Sequence, residues 1–485
     1  MMSEPKRLHP ITIFYEIITT LKEMIVPFIL FVVIGRPGGD SLWNKVPLLI
    51  FLILIVVTIV SGIVKWLRFT YWLEDHELRI TQGLFVKKKR YIPFERIQSL
   101  DLSESIFHRP FQLVKVKVET AASSDNKAEA ELTAIRKEEA AALQKIIADA
   151  KRGNNEEVLE EKVNEAVIYK ITAPQLLFLA TTSGRAGVVI SAFLAFVFQF
   201  DDFIPYEKLF NEMQELIRYG VMFISAIVLI VLAIAWLISV LIALFKYNDF
   251  TVKKVENDLI ITRGLLEKRT TTVPLHRIQA LKITESPIRQ PFGFASVTLE
   301  SAGGTALEQD SASIALLPVV KKSRIPDILG EALPEFSFVT DLKPAPKKAL
   351  RRYLFIKMMI ALAAAVALSV IFWPYGLLGA ILIGGAAALG YAQYRSAGWN
   401  IHGRQLTMRF RTIEQHTMLM QKNRIQALDM SVNWFQDRAG LAGMDAKVKS
   451  GEVFQRAHIP HMERDEAQEI YRWYSHRNVT KSEPV

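Results

Sequence analysis

A chain of 485 residues without a single cysteine excludes disulfides, thiolate metal sites and a cysteine nucleophile. Its residues are 51% hydrophobic and only 22% charged, a balance that excludes an ordinary soluble protein and calls for a large membrane-embedded fraction. A net charge of +10 accompanied by so much apolar sequence points to an anionic membrane surface and away from nucleic acid.

In chain order, the N-terminus is not a cleavable signal: Lys6 and Arg7 precede a segment broken by Glu16, Lys22 and Glu23. Crossing a bilayer core takes about 20 helical residues. The runs 46–64, 220–245 and 353–373 meet that length, and the weaker segments 24–34, 176–200 and 376–392 complete pairs with them. This gives six spans in three hairpins, at 11–64, 172–245 and 350–393. Thr172 and Pro174 mark a helix start before the third span. Arg185 is expected to snorkel from that span to the headgroups, in preference to serving as a functional charge within the membrane. In the sixth span Gly376, Ala380, Gly384 and Ala388 form a small-residue ladder, expected to pack against the fifth.

Orientation follows from basic flanks. Lys65, Arg68, Lys246, Lys347, Lys348, Arg351, Arg352 and Arg395 lie at the outer ends of the hairpins, whereas the loop 201–219 carries a net −3. The termini and the polar domains are therefore placed in the cytoplasm.

Those domains, at 65–153, 246–335 and 394–477, are repeats of one unit. Residues 65–119 and 246–300 align without a gap and share 20 of 55 positions. Thr81-x-Gly83-Leu84 answers to Thr262-x-Gly264-Leu265, and Pro110-Phe111 to Pro291-Phe292. Arg96-Ile97-Gln98-x-Leu100 recurs as Arg277-Ile278-Gln279-x-Leu281 and again as Arg424-Ile425-Gln426-Ala427-Leu428. The third copy has Arg411 where the others have the turn glycine.

Within a copy the texture is β. Strands are expected at 78–81 and 84–92 about a two-residue Gln82-Gly83 turn, and at 114–119, where apolar and polar residues alternate. A helix closes each copy: Leu143, Ile146, Ile147 and Ala150 fit the amphipathic stripe, as do Ile325, Ile328, Leu329 and Ala332, and Ala467, Ile470, Tyr471 and Tyr474. Each unit then reads as a small antiparallel barrel or bent sheet capped by a helix, the barrel being preferred.

Membrane hairpins alternating with β domains that carry Gly-Leu, Arg-Ile-Gln-x-Leu and Pro-Phe resemble the bacterial pleckstrin-homology (PH) domain membrane proteins of the YdbT type, the membrane-flanked domain family. The resemblance covers nearly the whole chain. It implies a polytopic α-helical membrane protein with three α+β PH-like domains in a bacterial plasma membrane. It also implies partnership with a single-repeat paralogue of the YdbS type.

The residues singled out for binding are of two kinds. Arg96, Arg277 and Arg424, with Gln98, Gln279 and Gln426, stand in the repeated motif. A guanidinium there is either a bidentate anion or headgroup contact or a clamp within its own domain, and the clamp is preferred. Alternation along the strand conflicts with a simple inside–outside pattern at this motif, and a β-bulge would resolve the conflict. Lys87, Lys88, Lys268 and Arg269 are basic positions facing an anionic leaflet, where each contributes roughly 1 kcal/mol, or they guard a strand edge.

No glycine-rich phosphate loop or hydrolase motif occurs, and His458 and His461 flank Pro460 in a poor arrangement for a metal. No enzyme, cofactor or metal is expected. The favoured function is a membrane-anchored scaffold that binds a protein partner or lipid headgroups at the inner leaflet, in envelope maintenance or stress protection, and that is able to oligomerise. The alternative is a six-span transporter or channel, disfavoured because spans two, four and six lack internal ionisable residues.

Overall fold

The structure, a computed structural model, describes residues 5–14, 17–18, 46–84, 86–120, 130–152, 165–183, 221–301, 313–338, 341–371, 377, 379–451 and 453–475. The first and third expected spans and Arg185 fall largely outside these residues. The chain divides into two compact units, Met1–Asn164 with Leu266–Thr272, and Glu165–Leu265 with Val273–Val485.

In the first unit, α1 (Val46–Arg68) ends on Lys65 and Arg68 and contains an 18-residue window of mean hydropathy 2.1. Its apolar side chains are largely exposed, as a lipid-facing helix requires. β1 (Thr70–Glu74), β2 (Glu77–Gln82) and β3 (Lys88–Pro93) follow as an antiparallel sheet with β3 at one edge. The backbone of Lys6 bridges to Tyr71 in β1. After a 3-10 turn at Phe94–Arg96 come β4 (Ile97–Ser105), β5 (Leu113–Thr120) and β6 (Ala130–Arg136), and then α2 (Lys137–Arg152). Leu143 and Ile147 of α2 join Leu78, Ile80, Ile92, Val116, Val118 and Leu132 in one core, while Ile146 stays exposed. The strand residues Glu267–Thr270 belong to this unit and pair antiparallel with β4.

The connection after β2 is longer than the expected two-residue turn, because β3 starts only at Lys88. Gly83 sits at φ +133, and a Cβ there would strike the carbonyl oxygen of Val86, so glycine is required.

The second unit holds the other two copies. It runs β7 (Glu165–Lys170), α3 (Ala173–Thr181), α4 (Val221–Tyr247), β8 (Thr251–Val255), β9 (Asp258–Arg263), the end of β10 (Glu267–Pro274), β11 (Ile278–Glu285), β12 (Phe294–Ser301), β13 (Ser313–Lys321) and α5 (Ile325–Leu329). The third copy adds β14 (Lys343–Pro344), α6 (Leu350–Ile371), α7 (Ala380–Ser396), β15 (Gly398–His402), β16 (Gln405–Arg411), β17 (Gln415–Gln421), β18 (Ile425–Ser431), α8 (Trp434–Asp437), β19 (Leu441–Ser450), β20 (Val453–Glu463) and α9 (Arg464–Tyr474). Thr172 and Gln175 form a capping box at the start of α3, where the sequence puts a helix start.

Three helices among the described residues, α1, α4 and α6, are long and apolar enough to cross a membrane. α7 packs back on α6 through Gly390, whose missing Cβ would lie 2.8 Å from the Tyr353 carbonyl oxygen, and through Gly379 against Ala365. The expected ladder is not the packing face: Ala380, Gly384 and Ala388 are exposed, and Gly384 has nothing within 4 Å of its Cβ position. The turn that places Gly379 and Gly390 toward α6 rotates the ladder away from it.

No closed barrel forms among the described residues, contrary to the expectation. In the third copy β17 and β18 are not partners. The free edge of β17 is taken by β11 of the second copy, giving a sheet ordered β13-β12-β11-β17-β16-β15-β14, while β18-β19-β20 forms a separate sheet. The 3-10 turn at Lys422–Arg424 turns the chain between the two sheets. The cores interlock at the shared strands: Leu419 belongs to the core of the second copy and Ala280 to that of the third.

In the second unit a strand from before each long apolar helix pairs with the first strand after it. β7 pairs with β8 across α3 and α4, and β14 pairs with β15 across α6 and α7. In the first unit the Lys6–Tyr71 bridge takes the same place.

Candidate functional site

The repeated Arg-Ile-Gln has one backbone geometry in all three copies. Each arginine ends a 3-10 turn, at 94–96, 275–277 and 422–424, and each isoleucine follows in extended conformation with φ near −70°. The isoleucines are buried, and the strand register then shifts between Ile97 and Ser99, between Ile278 and Ala280, and between Ile425 and Ala427. The glutamine is therefore the bulged residue, and the extra residue lets the isoleucine and the following Leu100, Leu281 or Leu428 face the core together.

The side chains, by contrast, occupy different surroundings. Arg96 is exposed. Arg277 is buried, as is Gln279, whose Nε2 donates to the Arg277 carbonyl oxygen at 3.1 Å. Arg424 reaches across copies, its Nη2 donating to the His276 carbonyl oxygen at 2.6 Å, while Gln426 is exposed. The three arginines thus stand in three different local surroundings.

Lys87, Lys88, Lys89 and Arg90 are all exposed along the start of β3 and the loop before it. Their counterparts Lys268 and Arg269 lie on the strand beside β4, with Lys268 opposite Glu104 and Arg269 opposite Ser103. Arg269 also pairs with Glu267 at 3.2 Å.

Between β11 and β17 lies a polar cluster that the sequence does not single out. Glu285 is buried and accepts from Lys322 Nζ and from Gln415 Nε2, each at 2.7 Å. Arg411 Nη2 donates to Gln290 Oε1 at 2.6 Å and to Gln415 Oε1 at 3.1 Å, and its Nε donates to Ser396 Oγ at 2.9 Å. The residue that replaces the turn glycine is therefore a fastener between copies. β16 runs through Arg411, which pairs with Gln415 across the strand, so no left-handed backbone is needed there. Beside it, burial with Lys282 and Arg411 nearby lowers the His416 pKa to about 4, and its ring lies 3.2 Å from Thr284 Oγ1. At the other end of β11 and β12, Glu300 is fully buried and accepts from Ser450 Oγ at 2.6 Å and Ser313 Oγ at 3.1 Å, and burial raises its pKa. An apolar recess next to the cluster is lined by Ile283, Ile325, Phe338, Leu342 and Leu419, with Lys322 and Arg409 at its polar side.

A second feature recurs at the loop after the motif strand. Ile106, Phe107 and Phe111 are exposed in the first copy, Ile288 and Phe292 in the second, and Trp434 and Phe435 in the third. In the second unit these loops abut the ends of apolar helices. Arg352 of α6 donates to the Phe435 carbonyl oxygen. Arg289 donates to Thr182 Oγ1 at 2.8 Å and to the Leu179 carbonyl oxygen at 3.3 Å at the end of α3. Trp236 of α4 donates to the Thr181 carbonyl oxygen at 3.2 Å. The signal for these tips was present in the aligned copies, as apolar residues at one position of a polar loop.

Among the described residues no group of His, Asp and Glu side chains is arranged to hold a metal. His458 instead contacts Asp445 at 2.9 Å, and His461 packs edge-on to Tyr353.

Comparison with known proteins agrees with the repeat. The bacterial PH domain family matches residues 21–151, 192–333 and 356–478. The UPF0699 transmembrane protein YdbT of Bacillus subtilis (strain 168) is 35% identical over 495 residues, which is 99% of this chain and 100% of the relative. No solved structure matches. Three PH repeats in one architecture, matched end to end by that relative, place the chain in its family: it belongs to the YdbT family of membrane proteins with bacterial PH domains.

Proposed function

We propose that this protein is a non-enzymatic membrane scaffold whose PH-like repeats bind a protein partner and lipid headgroups, the second and third repeats presenting one continuous platform. The observation that carries this reading is the β11–β17 pairing, which fuses the second and third repeats through backbone hydrogen bonds, exchanged core residues and the Glu285–Gln415–Arg411 cluster. Repeats locked in this way suit a rigid presenting surface, because their mutual geometry does not depend on long, flexible linkers.

The bracketing strands support a six-span, three-hairpin topology with all three repeats on one side. The β7–β8 pairing holds the two ends of the interval containing α4 side by side, which supports an even number of crossings within it. The basic flanks support a cytoplasmic location for that side. There the exposed tips Phe107, Phe292 and Phe435 meet the headgroup region, where aromatic side chains are favoured, and Lys87, Lys88, Lys268 and Arg269 face anionic lipid.

The test is covalent cross-linking in native membranes, followed by purification of the full chain and identification of both proteins and lipids. A reproducible protein partner or an enriched anionic lipid, reduced by Lys87→Gln with Lys88→Gln, is the expected result. Selective solute flux through the purified protein in liposomes would overturn the scaffold reading in favour of a transporter.

A further inference from the structure

We infer that copies of this chain join head to tail, β18 of one chain pairing with β3 of another in a fixed register. The inference rests on the proposed one-sided topology, and its strongest support is that the chain builds the same junction internally.

In the second unit β11 pairs with β17, Glu285 opposite Gln415, Thr284 opposite His416 and Leu281 opposite Leu419. In the first unit β4 pairs with 267–270, Glu104 opposite Lys268 and Ser103 opposite Arg269. Glu104 and Glu285 are equivalent positions of the repeat, and so are Lys268 and Gln415. The two pairings therefore share one register: the strand after Arg-Ile-Gln receives the strand that precedes the same motif in the next copy. A series of three copies leaves its first and last edges unused. Among the described residues, β3 and β18 each end a three-stranded sheet.

Exposure marks these edges as the uncovered counterparts of covered ones. Leu419 is 2% exposed, while Tyr91, at the same repeat position in β3, is 52% exposed. Gln279 and Glu285 in β11 are buried, whereas their β18-side counterparts Gln426 and Val432 are exposed. The shared register sets Val432 opposite Lys87, Ser431 opposite Lys88, Met430 opposite Lys89 and Asp429 opposite Arg90, an opposite-charge pair. Basic residues on an edge strand often serve to block pairing. Here they do not suffice for that, since the strand with Lys268 and Arg269 is paired in this very register. Pairing uses the backbone edge and leaves the lysine side chains projecting from the sheet faces toward lipid. Such a contact is heterologous, so it yields a ring where the rotation closes and an open row where it does not.

The absence of cysteine allows a direct test in the full chain, in membranes. One tagged chain carries Ser431→Cys or Met430→Cys, and a second, differently tagged chain carries Lys88→Cys or Lys89→Cys. Antiparallel pairs alternate between wide and narrow types, so one of the two in-register combinations has Cα atoms about 4.5 Å apart and oxidises readily. The expected result is a disulfide-linked product containing both tags, stronger for in-register than for offset combinations. Asp429→Arg should reduce it by up to about fivefold, and adding Arg90→Asp should restore it. No cross-link, a cross-link indifferent to register, one confined to a single chain, or one to a smaller, different protein would each overturn the inference. Labelling the same cysteines with a membrane-impermeant reagent in vesicles of known orientation tests the topology separately. If both label from one side and no cross-link forms, the topology stands and the inference fails.

Discussion

Gln415 donates from its Nε2 to the carboxylate of Glu285 at 2.7 Å, directly across the β11–β17 pair that joins the second and third repeats. Glu285 is buried and also accepts from Lys322; Lys322 is exposed and can turn to solvent, but the buried Gln415 amide cannot when the carboxylate is removed. Glu285→Ala should therefore cost about 1–3 kcal/mol, the penalty for stranding buried polar groups. Thermal unfolding of the purified full chain in detergent measures this. An unchanged midpoint would mean that the cluster does not hold the repeats together.

The three motif arginines should separate by burial, although the sequence presents them as equals. Arg96→Ala changes an exposed side chain and should stay within about 0.5 kcal/mol. Arg277→Ala opens a buried position and should cost at least about 2 kcal/mol. Arg424→Ala removes a single bond to the His276 carbonyl and should fall between them. Equal losses at all three would point instead to one shared role, such as a common ligand.

Two groups at this junction should respond to pH in opposite senses. The folded His416 pKa is lowered from 6.5 to about 4, so its contribution to stability is complete above 6.5 and is lost as pH falls toward 4. Burial raises the folded Glu300 pKa above the ordinary 4.5. Its contribution is complete below 4.5 and is lost as pH climbs through the raised value. Glu300→Gln should accordingly stabilise the protein at neutral pH and leave the acid-side loss, which His416→Gln should flatten. Unfolding midpoints of the two variants between pH 4 and 8 decide the matter. A neutral-pH loss in Glu300→Gln would show that the ionised carboxylate is needed by Ser450 and Ser313.

The repeat, the apolar helices and the bulge were legible because they are local. Identical Arg-Ile-Gln spacings and a conflict in side-chain alternation are visible in a line of residues, and the bulge at Gln98, Gln279 and Gln426 resolves that conflict as expected. The barrel expectation failed for a non-local reason. Strand content alone does not say whether β17 pairs with β18 of its own repeat or with β11 of the preceding one, and the second choice opens the barrel. Arg411 looked like a loss because the glycine it replaces was recognisable. Its gain is visible only when Gln290, more than a hundred residues away, is brought beside it. The strand Lys343–Pro344, before α6, is too short to register as a strand in the sequence and gains meaning only from β15, its partner beyond α7.

The exposed tip of the third repeat supplies a final prediction. Trp434 and Phe435 are exposed and stack edge-to-face, and Arg438 covers the Trp434 ring at 3.8 Å, leaving an apolar edge with a cationic rim. Arg352, in the first turn of α6, holds the Phe435 carbonyl, which ties this edge to the start of an apolar helix. An aromatic pair at such a height belongs among headgroups, where a ring gains from partial burial and keeps its polar neighbours wet. A nitroxide at Phe435→Cys in the reconstituted, otherwise cysteine-free chain should be more accessible to oxygen than to a polar nickel reagent. The same label at Phe454→Cys, on an exposed position of β20, is the soluble comparison. Equal access of the nickel reagent to both sites would place the tip in water and remove the lipid contact from the function proposed for this repeat.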